Sequence, residues 1–254
     1  QEIFGVTDHI RDLCDEYAAD GYEVLSPSLY DREHPGFEAG YSGPDFERAV
    51  ELARKLHPFD LGLADAQTCI DALKDKGPVF ITGYCYGGSV AWRMAQISPD
   101  LAASSSYYGS MVPTIFANEA PRCATIAHFG RFDAGIPIEG VEKLIEIAHP
   151  TAQVFVYEAN HGFNSDRRKD YHEESADLAR ANAELNFAAK TGALGAISAH
   201  LIHGIRNPLA GLEGFVTDPA LSTPGGAPGE AWNAAVETTR RLRGLVQEVA
   251  AVMR

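Results

Sequence analysis

Cysteine is scarce in this sequence, and its four copies lie far apart. Cys14, Cys69, Cys85 and Cys123 form no C-x-x-C pair, so the sequence indicates neither a disulfide framework nor a zinc site. Scattered cysteines are typical of proteins from a reducing compartment, and we expect a cytoplasmic protein without a bound metal.

Basic residues and long apolar runs are also in short supply. The chain has 21 Lys and Arg against 35 Asp and Glu, a formal net charge of −14, which argues against a nucleic-acid binder and against docking on an anionic membrane. No uncharged apolar run approaches the ~18 residues that span a bilayer, and no basic region marks a signal peptide. We therefore expect a small-molecule partner, and neither nucleic acid nor a membrane.

Apolar residues are present in quantity, at 45% of 254 residues, enough for a substantial core. Short β-branched runs alternate with longer amphipathic patterns, which predicts an α/β fold with a mostly parallel sheet flanked by helices. The predicted strands are Glu23–Leu25, Val79–Gly83, Ala103–Tyr108, Cys123–Phe129 and Gln153–Glu158. The predicted helices are Asp8–Asp20, Pro44–Leu56, Gly62–Lys74, Gly87–Ser98, Ile138–Ala148 and Glu173–Ala189.

The texture of the chain changes after about Lys190, where aromatic residues thin out and the alternation of strand and helix stops. Two helical patterns flank a spacer rich in Pro and Gly, Asp218–Gly229. We therefore predict two domains, an α/β domain over residues 1–190 and a helical hairpin over residues 191–254.

A glycine-rich turn carries the first sign of chemistry. The buried-strand pattern Val79–Thr82 is followed at once by Gly83–Gly88, which reads GYCYGG, and then by a helical pattern. This context is that of a nucleophile elbow, with Cys85 in the place of the usual serine. The helix dipole at such a turn favours the thiolate. The alternative is a buried cysteine that ends a strand beside a glycine turn.

Two further residues stand just past later strands, in the order acid and then histidine that an elbow nucleophile requires. Asp133 follows the predicted strand Cys123–Phe129, and His161 follows Gln153–Glu158. We predict that His161 takes the thiol proton and that Asp133 fixes its tautomer. The sulfur of Cys85 can then attack an ester or lactone carbonyl.

Two more residues complete the prediction of the site. The backbone N–H of Tyr86, the residue after the nucleophile, is expected to be one donor of the oxyanion hole. His128 is the rival histidine, but it lies inside a predicted strand and is expected to be a satisfied core residue.

Several blocks together resemble the dienelactone hydrolases (carboxymethylenebutenolidases) of the α/β-hydrolase superfamily, over roughly residues 1–190. The blocks are Gln1–Gly5, Gly83–Gly88, Tyr107–Gly109, His128–Gly130 and His161–Asn164. The resemblance implies that Glu2 contacts the resting nucleophile and helps to switch it on, and that the N–H of Ile3 is the second oxyanion donor. It also implies a reaction that opens an enol-lactone ring to give a keto-diacid.

The sequence departs from this family in its arginines. Members that take dienelactone hold its carboxylate with arginines, one of them just after the catalytic histidine. Here Arg167 is displaced from that position, and Arg48 is the nearest candidate for the other arginine. For Arg48 a solvated helix face is an equal alternative.

A second departure lies at the front of the chain. The resemblance implies that the block Gln1–Gly5 follows a strand that begins outside this sequence. Without it, the strands expected near Val24 and Val79 lack the neighbour that would lie between them. We therefore expect an N-terminally incomplete chain.

The predicted hairpin carries a second resemblance. The stretch Ala199–Leu209 resembles the phosphoacceptor helix of sensor histidine kinases, with Gly204 where an acid is usual. His203 would lie about 200° around the helix from the apolar Leu201 and Ile205, and so point away from the seam. Two interpretations stay open, a phosphoacceptor at His203 and a hairpin that only dimerises into a four-helix bundle.

We conclude from the sequence that the chain is a cysteine hydrolase of lactones or small esters that needs no cofactor. The alternative, from another class, is a signalling or dimerisation protein whose hydrolase part is a degenerate remnant.

Overall fold

Four parallel strands form the sheet of this protein, in the order β1-β2-β3-β4. The computed structural model describes residues 1–191. The strands are β1 (Val79–Tyr84), β2 (Leu101–Tyr107), β3 (Ala124–Gly130) and β4 (Ala152–Tyr157). Each strand lies next to its successor in the sequence, because a helix or a long loop returns the chain to the same edge before the next strand begins.

In residues 1–191, six α-helices accompany the sheet. They are α1 (Asp8–Ala19), α2 (Gly43–Glu51), α3 (Phe59–Leu73), α4 (Tyr86–Ile97), α5 (Ile138–Ile147) and α6 (Glu173–Thr191). All six predicted helices and four of the five predicted strands are therefore confirmed, within a few residues at their ends. Two short π-helical turns add detail: Leu52–Leu56 continues α2, and Val112–Phe116, which was not predicted, follows β2.

The alternation of side chains along β1 shows how the layers form. Ile81 packs into the cluster that holds Ala66 of α3 and Met94 of α4. Its neighbour Phe80 faces the other way and stacks on Phe187 of α6 at 4.9 Å between ring centroids. Successive residues of a strand point to opposite faces, so helices cover both faces of the sheet, as the apolar run in the sequence predicts.

The predicted strand Glu23–Leu25 is wrong, because residues 22–28 form no strand in the structure. A strand needs a neighbouring backbone to bond with. Among the described residues, no strand lies between this segment and β1, and the sheet ends at β1. The segment around Val24 therefore has the residue pattern of a strand but no neighbouring strand with which to pair.

Buried serine hydroxyl groups in β2 are matched with backbone carbonyl groups of α4. The hydroxyl groups of Ser104 and Ser106 donate to the carbonyl oxygens of Ala91 and Gly88 in α4, at 3.1 and 2.8 Å. Small residues in β2 therefore let α4 lie close to the sheet and bond to it. This is why a strand with three serines in a row can be buried.

His128 in β3 lies in the core, as expected for a histidine inside a strand. Its side chain is fully buried, and its two ring nitrogens bond to Ser105 at 3.2 Å and to the hydroxyl group of Tyr157 at 2.9 Å. Burial lowers the pKa of His128 to about 3, so the imidazole is neutral at ordinary pH.

The expectations for the C-terminal hairpin, including its dimerisation and the phosphoacceptor at His203, lie outside the described residues. Gln1–Lys190 forms one compact unit. Within residues 1–191, no helix is both long and apolar enough to cross a membrane.

Candidate active site

The three predicted catalytic residues each follow the carboxyl end of a strand. Cys85 comes directly after β1, Asp133 shortly after β3 and His161 shortly after β4. Because the carboxyl ends of parallel strands meet at one edge of the sheet, the topology brings these three loops together. Residues far apart in the sequence thus share one edge of the fold.

The turn between β1 and α4 has the tight geometry of an elbow. Cys85 adopts φ 55° and ψ −110°, a conformation that costs free energy for a residue with a side chain. A Cβ atom on Gly83 would come within 1.9 Å of the carbonyl oxygen of Gly87, and one on Gly87 within 2.2 Å of the carbonyl oxygen of Gln1. Only glycine fits at both positions, which explains the pattern GYCYGG.

Cys85, His161 and Asp133 form a continuous hydrogen-bonded line. The Nε2 atom of His161 lies 3.2 Å from the sulfur of Cys85, and its Nδ1 atom lies 2.6 Å from Oδ2 of Asp133. The other oxygen of Asp133 accepts a hydrogen bond of 2.8 Å from the N–H of Gly135. Asp133 is buried and Cys85 is partly exposed, so a small molecule can approach the sulfur while the carboxylate stays shielded from water.

The charge of His161 is governed by its two neighbours. Burial lowers the pKa of His161, but the negative charge of Cys85 and the hydrogen bond to Asp133 outweigh it and raise the pKa to about 10. An imidazole with this pKa keeps its second proton at neutral pH. The line then holds a positive ring between two acidic groups.

This raised pKa predicts how stability depends on pH. The pKa of an unfolded histidine is about 6.5, so between about 6.5 and 10 the folded protein holds a proton that the unfolded chain has lost. The stabilisation that this proton gives to the folded protein is complete at pH values below the unfolded pKa of about 6.5. It is lost as the pH rises through the folded pKa of about 10. We expect the free energy of unfolding, measured in urea, to fall from pH 6.5 to pH 10. The free energy of unfolding of the Cys85→Ala variant should fall less over the same pH range. Equal decreases in the two proteins would contradict the electrostatic coupling between His161 and Cys85.

Glu2 lies beside an arginine that was not among the predicted site residues. Its Oε1 atom is 3.1 Å from Nη1 of Arg168, and both side chains are largely buried, with 2% and 13% of their surfaces exposed. Burial, the largest single effect, lowers the pKa of Arg168, but the charge of Glu2, the smaller electrostatic effects of Tyr108 and Cys85 and the hydrogen bond to Glu2 together raise it by more. Arg168 also lies over the rings of Phe4 and Tyr41.

The two predicted arginines occupy different surroundings. Arg167 is exposed and pairs with Asp12 at 2.9 Å. Arg48 is exposed and pairs with Glu51, one turn along the same helix, at 3.0 Å. Neither position supports a role in holding substrate, and Arg168 is the arginine that the fold turns inward.

A glycine near His161 provides the space for Arg168. Gly162 has φ +75°, and a Cβ atom there would come within 2.6 Å of the Arg168 guanidinium group. This space depends on how the chain folds, so spacing along the sequence could not identify Arg168.

Tyr108 is a second residue that the sequence did not single out. It follows β2 at the same edge of the sheet and has a positive φ of 39°, and its ring lies 5.0 Å from that of His161. The side chain is fully buried, and burial raises the pKa of its hydroxyl well above the ordinary value. The neutral ring therefore forms a wall against which His161 packs.

The two predicted oxyanion donors belong to segments that a backbone hydrogen bond joins. Tyr86 is the first residue of α4, where a backbone N–H has no acceptor within the helix. The following N–H, of Gly87, donates to the carbonyl oxygen of Gln1 at 3.1 Å. This bond ties the segment that contains Glu2 and Ile3 to the start of α4.

No group of three or more His, Cys, Asp or Glu side chains in the described part of the chain is arranged to hold a metal ion.

Comparison with known proteins finds matches to one family. The model of the dienelactone hydrolase family matches residues 1–190. A relative from Yersinia pestis named "Putative carboxymethylenebutenolidase" is 35% identical over 192 residues, which cover 69% of this chain and 71% of the relative. One of the same name from Synechocystis is 32% identical over 195 residues, covering 69% and 78%.

Solved structures give the same result. A crystal structure from Klebsiella pneumoniae, described as a "Putative Dienelactone Hydrolase", has a TM-score of 0.65 and 32% identity, and covers 74% of this chain and 84% of its own. A hydrolase of the α/β superfamily from Xanthomonas campestris shares the fold, with a TM-score of 0.52, 17% identity and coverage of 72% and 92%. The predicted α/β-hydrolase fold is thus confirmed, and this chain belongs to the dienelactone hydrolase family.

Proposed function

We propose that this protein hydrolyses lactones or small esters through a covalent thioester on Cys85. The observation that carries the proposal is the hydrogen-bonded line from Cys85 through His161 to Asp133, at 3.2 and 2.6 Å. A nucleophile, a base and a group that orients the base are the minimum set for acyl transfer through a covalent intermediate.

In the first half of the reaction, Nε2 of His161 already holds the proton of the Cys85 thiol, and the sulfur bonds to the substrate carbonyl carbon. The carbonyl oxygen becomes an oxyanion, for which the N–H groups of Tyr86 and Ile3 are the proposed donors. When the oxyanion collapses, the bond from carbon to the leaving oxygen breaks and His161 returns a proton to that oxygen. For a lactone, the leaving group stays attached to the acyl chain.

In the second half, water attacks the thioester. His161 takes a proton from the water, and the new oxygen bonds to the carbonyl carbon. The carbon–sulfur bond then breaks, and the sulfur recovers its proton. The negative charge of Asp133 stabilises the imidazolium in both halves. The product of an enol lactone is an enol acid, which rearranges to the keto acid.

Arg168 gives the proposal its substrate preference. Its guanidinium group is the positive charge that lies beside Glu2 and acts on Cys85. A substrate carboxylate would compete with Glu2 for this group, as planar bidentate pairing favours. Release of Glu2 on substrate binding would be the switch that the family resemblance implies.

The test compares three substrates with the full chain. They are a five-membered enol lactone with a carboxylate substituent, its methyl ester derivative, and p-nitrophenyl acetate. We expect ring opening, followed by ultraviolet absorbance, with kcat/KM at least about tenfold higher for the free carboxylate than for its methyl ester, as for loss of one charged hydrogen bond. Equal values would remove Arg168 from substrate binding, and no turnover of any substrate would overturn the proposed hydrolysis.

The alternative, a signalling protein with a degenerate hydrolase remnant, gains no support from the comparisons. The predicted C-terminal hairpin, on which this alternative is based, lies outside the described residues.

A further inference from the structure

Glu33 and His57 form a carboxylate–imidazole pair that the proposed hydrolysis does not use. Oε2 of Glu33 lies 2.9 Å from Nδ1 of His57. The His57 side chain is fully buried, and the Glu33 side chain is 20% exposed. Burying an imidazole costs free energy unless its polar atoms are bonded. The surroundings of the second ring nitrogen, Nε2, therefore decide what the pair can do.

The ring of His57 lies in an aromatic cluster around Tyr86. Between ring centroids, Tyr30 lies 5.1 Å from His57, and Tyr86 lies 6.3 Å from His57. Phe59, the first residue of α3, adds an edge contact to Tyr86 at 5.5 Å. The backbone N–H of Tyr86 is a proposed donor of the oxyanion hole. The cluster therefore holds the side chain of a residue whose backbone position matters to the reaction.

Two polar atoms of this cluster are complementary. Nε2 of His57 and the hydroxyl group of Tyr86 are both buried, and neither has a hydrogen-bond partner among the described residues. Burial raises the pKa of the Tyr86 hydroxyl, which therefore keeps its proton and remains a donor. In a neutral imidazole whose Nδ1 donates to a carboxylate, Nε2 is an acceptor.

Gly62 of α3 leaves the space that these two atoms share. A Cβ atom on Gly62 would lie 3.4 Å from the hydroxyl oxygen of Tyr86 and 3.5 Å from Nε2 of His57. Both atoms therefore border the same small space beside the helix. A glycine inside a helix lowers its stability, and here the absence of a side chain lets donor and acceptor face each other.

From these contacts we infer that Glu33 and His57 are positioning residues for the oxyanion donor at Tyr86, an inference that rests on the proposed hydrolysis. The carboxylate orients the imidazole, and Nε2 accepts a hydrogen bond from the Tyr86 hydroxyl across the space beside Gly62. The pair acts through Tyr86 and not on the substrate.

The backbone of the elbow explains why such support is needed. Cys85 has φ 55° and ψ −110°, and a strained conformation persists only where its surroundings hold it. The next peptide group carries the N–H of Tyr86. A donor that is displaced by about 1 Å loses much of its effect on the transition state. Anchoring the Tyr86 ring at its far end therefore fixes the direction of this N–H.

Nuclear magnetic resonance of the full chain, labelled with ¹⁵N in its histidines, tests the link itself. The chemical shift of Nε2 in His57 reports whether this nitrogen accepts a hydrogen bond. Tyr86→Phe removes only the hydroxyl group, and Gly62→Ala places a methyl group against both atoms. Both changes should move the Nε2 resonance towards that of a free imidazole nitrogen.

A second helical glycine provides the control for Gly62. A Cβ atom on Gly140 of α5 would meet only the side chain of Pro113, at 3.6 Å. Gly140→Ala should therefore leave the His57 resonance unchanged. If Tyr86→Phe leaves it unchanged as well, the link does not exist, whether or not the protein hydrolyses esters.

Kinetics on two esters test the positioning role. They are p-nitrophenyl acetate and its thiono analogue, in which sulfur, a weak hydrogen-bond acceptor, replaces the carbonyl oxygen. His57→Phe, Tyr86→Phe and Gly62→Ala should each lower kcat/KM for the oxygen ester about tenfold, less than the loss of a whole donor. The thiono ester gains little from the donor, so its kcat/KM should fall by less than about twofold.

The control for His57→Phe is His34→Phe, which changes an exposed histidine and should affect neither ester. The double variant of His57→Phe with Tyr86→Phe should be no slower than the slower single variant, because both act through one link. Equal losses for the two esters, or losses that multiply in the double variant, would overturn the inference and leave the proposed hydrolysis intact. No turnover by the wild type would overturn the hydrolysis and the positioning role together.

Discussion

Cys85→Ala is expected to lower kcat/KM for lactone and ester hydrolysis by at least about 10⁴-fold, because no other group at the site can form the covalent bond. His161 and Asp133 would remain, but they are hydrogen-bonded in sequence to the sulfur of Cys85 and act on the substrate only through that sulfur. The variant should fold, since alanine removes one partly exposed atom. Activity is measured on the preferred lactone, with folding checked by circular dichroism.

Three other cysteines provide the controls for this prediction. Cys14→Ala, Cys69→Ala and Cys123→Ala should change stability and leave turnover within about twofold, since burial, not chemistry, governs these side chains. Burial raises the pKa of Cys14 and of Cys69, so iodoacetamide should label them far more slowly than Cys85. Turnover that survives Cys85→Ala would overturn the assignment of the nucleophile.

Much of the fold could be predicted because the signals are local. The strand and helix patterns on either side of Gly83–Gly88 specify the elbow, and the order of Asp133 and His161 follows from the topology of a parallel sheet. The residues that carry the proposed chemistry are therefore visible in the sequence. Their distances depend on the register of four strands, in which Tyr84, Tyr107 and His128 lie side by side.

What could not be predicted depends on contacts between distant segments. The pattern at Val24 has the composition of a strand, but composition does not supply a neighbour with which to bond. Arg167 and Arg168 are chemically identical and adjacent, and only the folded chain distinguishes them, with Gly162 leaving space for the Arg168 guanidinium group. The positive φ of Tyr108 has no local signal either, because tyrosine is rare in that conformation.

Arg168→Gln is expected to destabilise the protein by about 3–5 kcal/mol, the cost of leaving one partner of a buried pair without its opposite charge. Glu2 is 2% exposed and its carboxylate is 3.1 Å from Arg168, so water cannot replace the lost guanidinium group. The preference for a substrate carboxylate should disappear as well. Urea unfolding gives the first quantity, and the ratio of kcat/KM for the carboxylate and methyl ester substrates gives the second.

The neighbouring residue is the matched control for this prediction. Arg167→Gln removes the same charge from the surface pair with Asp12, and should leave both stability and substrate preference nearly unchanged. The double variant Glu2→Gln with Arg168→Gln should recover part of the stability, because no unpaired buried charge remains. If Arg168→Gln costs no more stability than Arg167→Gln, the buried pair does not stabilise the fold. If Arg168→Gln keeps the preference for the carboxylate substrate, Arg168 has no role in choosing the substrate.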